Sequence, residues 1–363
     1  MFKPILLTML LGAASQGAQA ACSLSKEIEL NITVENDQIL IPATIRGQEV
    51  KFLLETAYPA NVMPSSAPAR LGVPVTPLIP PEYIADRDTI KGSRENGLLA
   101  SDGAGRADIP ELYLDGKVMR GVTFAVFYTK DSFGLGDVVG ALSSYIWRDY
   151  EVEIDVPHNL LTLYEAEDCS RTNLAYWGKD YNVVSLTESG IGAEFPIKLN
   201  GREVTAILDS GSPVSTVTDR TAAKVGIDRP STASSIDAPP PVGVQSTDLP
   251  SLVRFTHGFG LDARSPNILS SNLNDLGPQT PKSYWSAGID SLSIDQEVVS
   301  HVVMRVVPSP KISHEVGTRT PRNLTSYDVL LGVDFLKTHR VLISHKQHKL
   351  YFSYVGGPGF GKP

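Results

Sequence analysis

The sequence predicts an all-β protein made of two copies of one unit, with only short helices between the strands. Three observations carry that expectation. Residues 41–57 recur as residues 195–211 at a constant spacing of 154, running without a gap from Pro42 and Pro196 through Gly47 and Gly201, Glu55 and Asp209, Pro59 and Pro213, to Gly72 and Gly226. A second block, 112–118, returns as 292–298, and 122–127 returns as 302–307, both 180 apart. Within these blocks apolar and polar residues alternate, or run apolar for a few residues between turn signals, as half-buried and fully buried strands do.

Taken in order, residues 1–20 read as a leader peptide: Lys3, an apolar stretch over 5–11, then Ala18-Gln19-Ala20 as a cleavage site. That implies an exported protein, periplasmic if the source is a Gram-negative bacterium. Residues 27–34 alternate and predict a strand; 39–45 and 48–54 predict a hairpin around Arg46-Gly47. After Glu55-Thr56-Ala57 a short helix is expected over 65–71, closed by Gly72. Residues 74–95 read as surface loop. A third repeated block pairs 137–142 with 329–334, 192 apart, each followed by a strand hairpin: 150–155 with 160–164, and 340–344 with 349–352. The growing offset puts insertions in the second copy, in the Pro/Ser/Asn-rich stretches 230–250, 265–282 and 308–326. The organisation is therefore a leader (1–20), a first lobe (21–164), a linker (165–182) with Trp177 as a packing plug, a second lobe (183–355) and a flexible tail (356–363).

Composition narrows the partners. The chain carries 32 basic against 40 acidic residues, a net charge of −8, and no basic block, which argues against nucleic acid. No apolar run is long enough to span a membrane. Cys22 and Cys169 are the only two cysteines. In an oxidising compartment they are expected to form one disulfide; lipidation of Cys22 is the weaker alternative, since Gln19-Ala20-Ala21 lacks the large aliphatic residue of a lipoprotein signal. His339, His345 and His348 show no acidic partner pattern and read as a solvated face, so no metal is expected. Ser210 and Ser212 lie in no G-x-S-x-G elbow, and no phosphate or dinucleotide fingerprint points to a cofactor.

The chemistry concentrates in Ala206-Ile207-Leu208-Asp209-Ser210-Gly211, an apolar run ending in a carboxylate, a hydroxyl and a glycine. With the later Val329-Leu330-Leu331-Gly332 and its looser first-copy counterpart over 137–142, the chain resembles bacterial retropepsin-like aspartic proteases of the pepsin and retropepsin superfamily, with two copies fused. The resemblance implies two β-barrel lobes forming a pseudo-dimer, with a cleft between them and an apolar-apolar-Gly strand crossing beneath each catalytic turn. It implies an endopeptidase with Asp209 as main catalytic residue and Glu55 as partner, supported by Ser210, Gly211 and Thr56. Gly103 and Gly105 are a candidate substrate flap or equally a plain turn. The family needs no cofactor, and its partners are polypeptide substrates or extended peptides, bound by a monomer or a homodimer.

One departure matters. The first copy reads Glu55-Thr56-Ala57-Tyr58 where the family has Asp-Thr-Gly followed by Ala or Ser. Glutamate carries its carboxylate one methylene farther out, and Ala57 adds a Cβ where glycine is usual, which points to relaxed function in the first lobe. Three readings stay open: a protease using Asp209 with Glu55, a protease pairing Asp209 of two chains, and a pseudoprotease that binds extended peptide.

Overall fold

The computed structural model describes residues 22–57, 60–77, 105–127, 137–187, 192–229, 285–309 and 327–357. The leader, the Gly103 turn, most of the 74–95 loop, nearly all of the three insertions and residues 358–363 lie outside them. The first copy supplies β1 (Ser23–Asn31), β2 (Thr33–Glu35), β3 (Gln38–Ile45), β4 (Gln48–Glu55), β5 (Val62–Pro64), α1 (Ser66–Leu71), β6 (Val75–Pro77), β7 (Gly105–Leu114), β8 (Lys117–Phe127), β9 (Val138–Ser143), α2 (Ser144–Trp147), β10 (Glu151–Asp155) and β11 (Leu160–Glu167). The second supplies β12 (Asn182–Ser185), β13 (Ala193–Leu199), β14 (Arg202–Leu208), β15 (Thr216–Thr218), α3 (Asp219–Lys224), β16 (Trp285–Ile294), β17 (Glu297–Val307), β18 (Val329–Leu331), α4 (Val333–Leu336), β19 (His339–Ser344) and β20 (Lys349–Tyr354).

Turn chemistry builds the hairpins. Arg46-Gly47 joins β3 to β4 with φ of 52° and 77°, and Asn200-Gly201 joins β13 to β14 with 48° and 75°. Both central residues in the left-handed region make the two-residue turn whose twist matches the flanking strands. Each copy then closes into a six-stranded barrel. In the second the order is β13-β14-β18-β15-β17-β16, closed by β13 on β16. In the first it is β3-β4-β9-β5-β8-β7, closed by β3 on β7 at Thr44↔Tyr113 and Ile45↔Leu112, with β2 and β6 added at the rims. The protein is all-β with few short helices, and its two barrels fit a pseudo-dimer.

The strands of the second repeated block, β7 and β8 against β16 and β17, begin and end 180 residues apart. The third block needs a correction. Leu54 pairs with Leu142 and its counterpart Leu208 with Leu331, so the true spacing is 189. Gly332 therefore matches Ser143, not Gly140. Aligning the two glycines shifts the register by three residues. Gly140 answers a different demand, since a Cβ there would overlap the Val62 carbonyl oxygen.

The hairpins after the third block belong to neither barrel. They form one six-stranded sheet, β1-β11-β10-β19-β20-β12, drawn from both copies and including the end of the expected linker. Its middle pair, β10 and β19, runs antiparallel with Glu153 opposite Leu342, and Glu151↔Ser344 mirrors Asp155↔Arg340. Residues 153 and 342 are each other's counterparts at the 189 spacing, so the pseudo-two-fold axis passes between them. Against this sheet Arg340 Nε donates to Glu153 Oε1 (2.8 Å), Tyr176 and Tyr164 hydroxyls donate to Glu153 Oε2 (2.8 and 3.1 Å), and the Arg340 guanidinium lies 4.8 Å from the Trp177 ring centre. Trp177 packs beside Leu174, Ala175 and Tyr351 and donates to Ser353 Oγ at 2.9 Å.

Cys22 and Cys169 are bonded to each other, with Cα atoms 4.5 Å apart, just beyond the Ser23↔Glu167 rung of β1 and β11. The crosslink closes a loop of 147 residues. Converting both cysteines to serine is expected to lower the unfolding free energy by about 2–4 kcal/mol, read from the denaturant midpoint.

Candidate active site

Strands β4 and β14 run apolar and buried through Phe52-Leu53-Leu54 and Ala206-Ile207-Leu208, and each delivers an acid to the axis. Glu55 ends β4 and Asp209 follows β14, 3% and 0% exposed respectively. The next residue on each side ties the copies together. Thr56 Oγ1 donates to Leu208 O (2.7 Å) and accepts from Ser210 N–H (3.0 Å). Ser210 Oγ donates to Leu54 O (2.8 Å) and accepts from Thr56 N–H (3.0 Å). These four bonds are two-fold related, and each hydroxyl both donates and accepts.

Each acid is also held by its own turn. Ala57 N–H donates to Glu55 Oε1 at 3.1 Å, and Gly211 N–H donates to Asp209 Oδ1 at 3.0 Å. Burial, together with the neighbouring Asp209 charge, holds Glu55 well above its ordinary value near 4.5. Two adjacent buried carboxyls cannot both ionise, so the pair keeps a proton. Neither Ala57 nor Gly211 has positive φ. The turn therefore demands no left-handed backbone at either position, and the alanine is accommodated: its methyl lies with Ile207 and Leu330.

The crossing strands are anchored differently in the two copies. In the second, Ser215 Oγ accepts from Gly332 N–H (3.0 Å) and donates to Asp334 Oδ1 (2.7 Å). A Cβ on Gly332 would stand 2.6 Å from Ser212 O and 2.7 Å from the Val214 carbonyl carbon, so the glycine permits a close backbone crossing. In the first, Asn61 Oδ1 accepts from both Ser143 N–H (2.9 Å) and Ser143 Oγ (3.2 Å). Asn61 and Ser215 are supporting residues that sequence reasoning passed over, although the 154 spacing relates them.

The remaining expected site residues fall elsewhere. Gly103 lies outside the described residues. Gly105 is the first residue of β7, paired with both Pro77 and Val126, and a Cβ there would overlap the Thr76 carbonyl oxygen. It serves close strand packing and is not a hairpin tip. The histidine expectation also changes. His348 is exposed, but His339 is 1% exposed, stacked on Phe335 at 4.0 Å, with Nε2 2.9 Å from Glu297 Oε1. Its acidic partner comes from another strand, 42 residues away. Among the described residues no group of three or more His, Cys, Asp or Glu side chains is placed to hold a metal ion, and no helix is long and apolar enough to cross a membrane.

Fold and site together define a two-barrel, all-β protein with a braced carboxyl pair on its pseudo-two-fold axis. Among solved structures the chain is similar to a retropepsin-like aspartic protease from Rickettsia conorii, at 14% identity and a TM-score of 0.26, over 40% of this chain and 95% of that one. The closed barrels and their strand order describe the fold without it. No family model and no curated protein matches the chain.

Two outcomes are expected. Thr56→Val keeps the shape but leaves Leu208 O and Ser210 N–H buried without this partner, and should cost about 2–4 kcal/mol in urea unfolding. Glu55 binds its proton more tightly folded than unfolded. Its contribution is complete below its ordinary value near 4.5 and is lost as pH rises through the raised one. Stability should fall as pH rises from about 4.5 to the raised value, and Glu55→Gln should flatten this part of the curve, as followed by thermal melts across pH.

Proposed function

We propose that the protein is an exported aspartic-type endopeptidase in which Glu55 and Asp209 of one chain activate water and a peptide carbonyl. The observation that carries this reading is the pair of buried carboxyls, each held by the N–H two residues on and carried on turns that Thr56 and Ser210 brace across the axis. In the proposed reaction Asp209, as carboxylate, takes a proton from water. The water oxygen attacks the peptide carbon while Glu55, as the acid, gives its proton to the carbonyl oxygen. The tetrahedral diol then collapses: Asp209 gives its proton to the nitrogen, Glu55 takes one from a diol hydroxyl, the C–N bond breaks, and a carboxylic acid and an amine leave with both acids restored. No metal or covalent enzyme intermediate is needed. Both carboxyls are nearly or fully buried, so turnover calls for a form of the cleft opened to substrate.

The intramolecular pair is favoured over pairing of Asp209 between two chains, because Ser210 and Asp209 already engage Thr56 and Glu55 of the same chain. The peptide-binding pseudoprotease is the second reading, favoured by the same burial of both acids. Export to the periplasm is the expectation from residues 1–20, and a polypeptide partner that from the dyad.

The test is cleavage of a denatured protein by the purified mature chain between pH 3 and 8, with and without a transition-state mimic of aspartic proteases. Asp209→Asn is expected to reduce turnover at least about a thousandfold, and Glu55→Gln by a comparable factor. Turnover untouched by Glu55→Gln and falling on dilution would select the two-chain enzyme. Saturable binding of an extended peptide without cleavage in any variant would select the pseudoprotease.

A further inference from the structure

Gly211 sits against the other copy's acid. A Cβ built on it would overlap Glu55 Oε2, stand 2.8 Å from the Glu55 carboxyl carbon and lie 3.2 Å from Asp209 Oδ1. Since Gly211 does not have positive φ, the demand for glycine here is one of space and not of backbone conformation. The extra methylene of Glu55 has carried its carboxyl across the axis into the volume a side chain at 211 would occupy.

The two-fold relation makes Asp209 and Ala57 the counterparts of Glu55 and Gly211. Ala57 does carry a methyl, and it is 1% exposed. The acid on its opposite side is one methylene shorter. The longer acid thus faces the residue without a Cβ, and the shorter acid is the counterpart across from the residue with one.

We propose that Glu55 and Ala57, the two departures in the first turn, are size-matched to Gly211 and Asp209 across the axis, which makes Gly211 the positioning residue for the Glu55 carboxyl. The first turn is then an adapted half of the site and not a decayed one. The packing claim stands independently of catalysis; only its consequence for turnover rests on the peptidase reading.

A double-variant cycle tests it by thermal unfolding. Gly211→Ala should lower the melting temperature by roughly 5 °C or more with Glu55 present, the scale of an overpacked core site. In the Glu55→Asp background, where the methylene is gone, the same change should cost less than about 2 °C. Equal losses in both backgrounds overturn the proposal. If Gly211→Ala with Glu55 does not fold while Glu55→Asp/Gly211→Ala does, the coupling is shown in its strongest form. If neither folds, the reciprocal cycle decides: Asp209→Glu should be tolerated better with Ala57→Gly than with Ala57, and indifference to residue 57 overturns the proposal.

Positioning is read separately from packing. The pH at which the Glu55-dependent fall in stability levels off, which is set by the folded state, should move in Gly211→Ala, or in Asp209→Glu if that is the folded variant, and return in the matched double variant. An unmoved value overturns the positioning role. Coupled melting temperatures in a protein that cleaves nothing would sink the peptidase reading and leave this inference in place.

Discussion

The molecule depends on a closed circuit of four hydrogen bonds in a buried interface. Thr56 and Ser210 each bring a hydroxyl and an N–H, and Leu54 and Leu208 each bring a carbonyl, with all four bonds passing between copies. A buried polar group without a partner costs more than a hydrogen bond returns. The circuit therefore resists opening at any one point. Only a side chain that donates and accepts through a single atom can close it, which restricts both positions to hydroxyl residues. The acids one residue earlier are carried to the axis by the same geometry. The shared sheet on the same pseudo-axis, with Glu153 opposite Leu342, fixes the relation of the copies a second time.

Within that symmetric frame the two halves solve the same local problems with different residues. The crossing strand is tied to the turn by Ser215, Gly332 and Asp334 in one copy and by Asn61 with Ser143 in the other. Asparagine reaches farther than serine, and Ser143 adds a side chain where Gly332 has none. A longer tether paired with a bulkier crossing residue keeps both backbones tied without overlap. The acids follow the same logic, with chain length on one side matched by space on the other.

Much of this is legible in the sequence because local patterning and the repeat report it directly. Alternation and the Arg46-Gly47 and Asn200-Gly201 turns specify the hairpins, and the spacing of 154 is enough to set Glu55 opposite Asp209. What escapes is long-range. Nothing local in 150–155 or 340–344 says that these strands leave their own barrels and pair with each other. Matching the third block on its two glycines misplaces its register, because Gly140 makes room for the Val62 carbonyl and Gly332 for Ser212 and Val214. His339 reads as solvated because Glu297 arrives from another strand and Phe335 covers its ring.

The glutamate at position 55 is best weighed by asking which property it changes. In water Asp and Glu differ in acidity by about 0.4 unit, roughly 0.5 kcal/mol. That is small beside burial and a neighbouring carboxylate, each of which moves a pKa by whole units. The identity of the acid thus contributes little to whether the pair holds one proton; its surroundings decide that. Chain length is different. A displacement on the order of 1 Å at the reacting centre can cost a hundredfold in rate, and a methylene is longer than that. An aspartate-to-glutamate exchange in such a pair is therefore a change of position far more than of acidity. Its consequences must be absorbed by whatever limits where the carboxyl can lie. Here the carboxyl lies in the space that a side chain at 211 would fill.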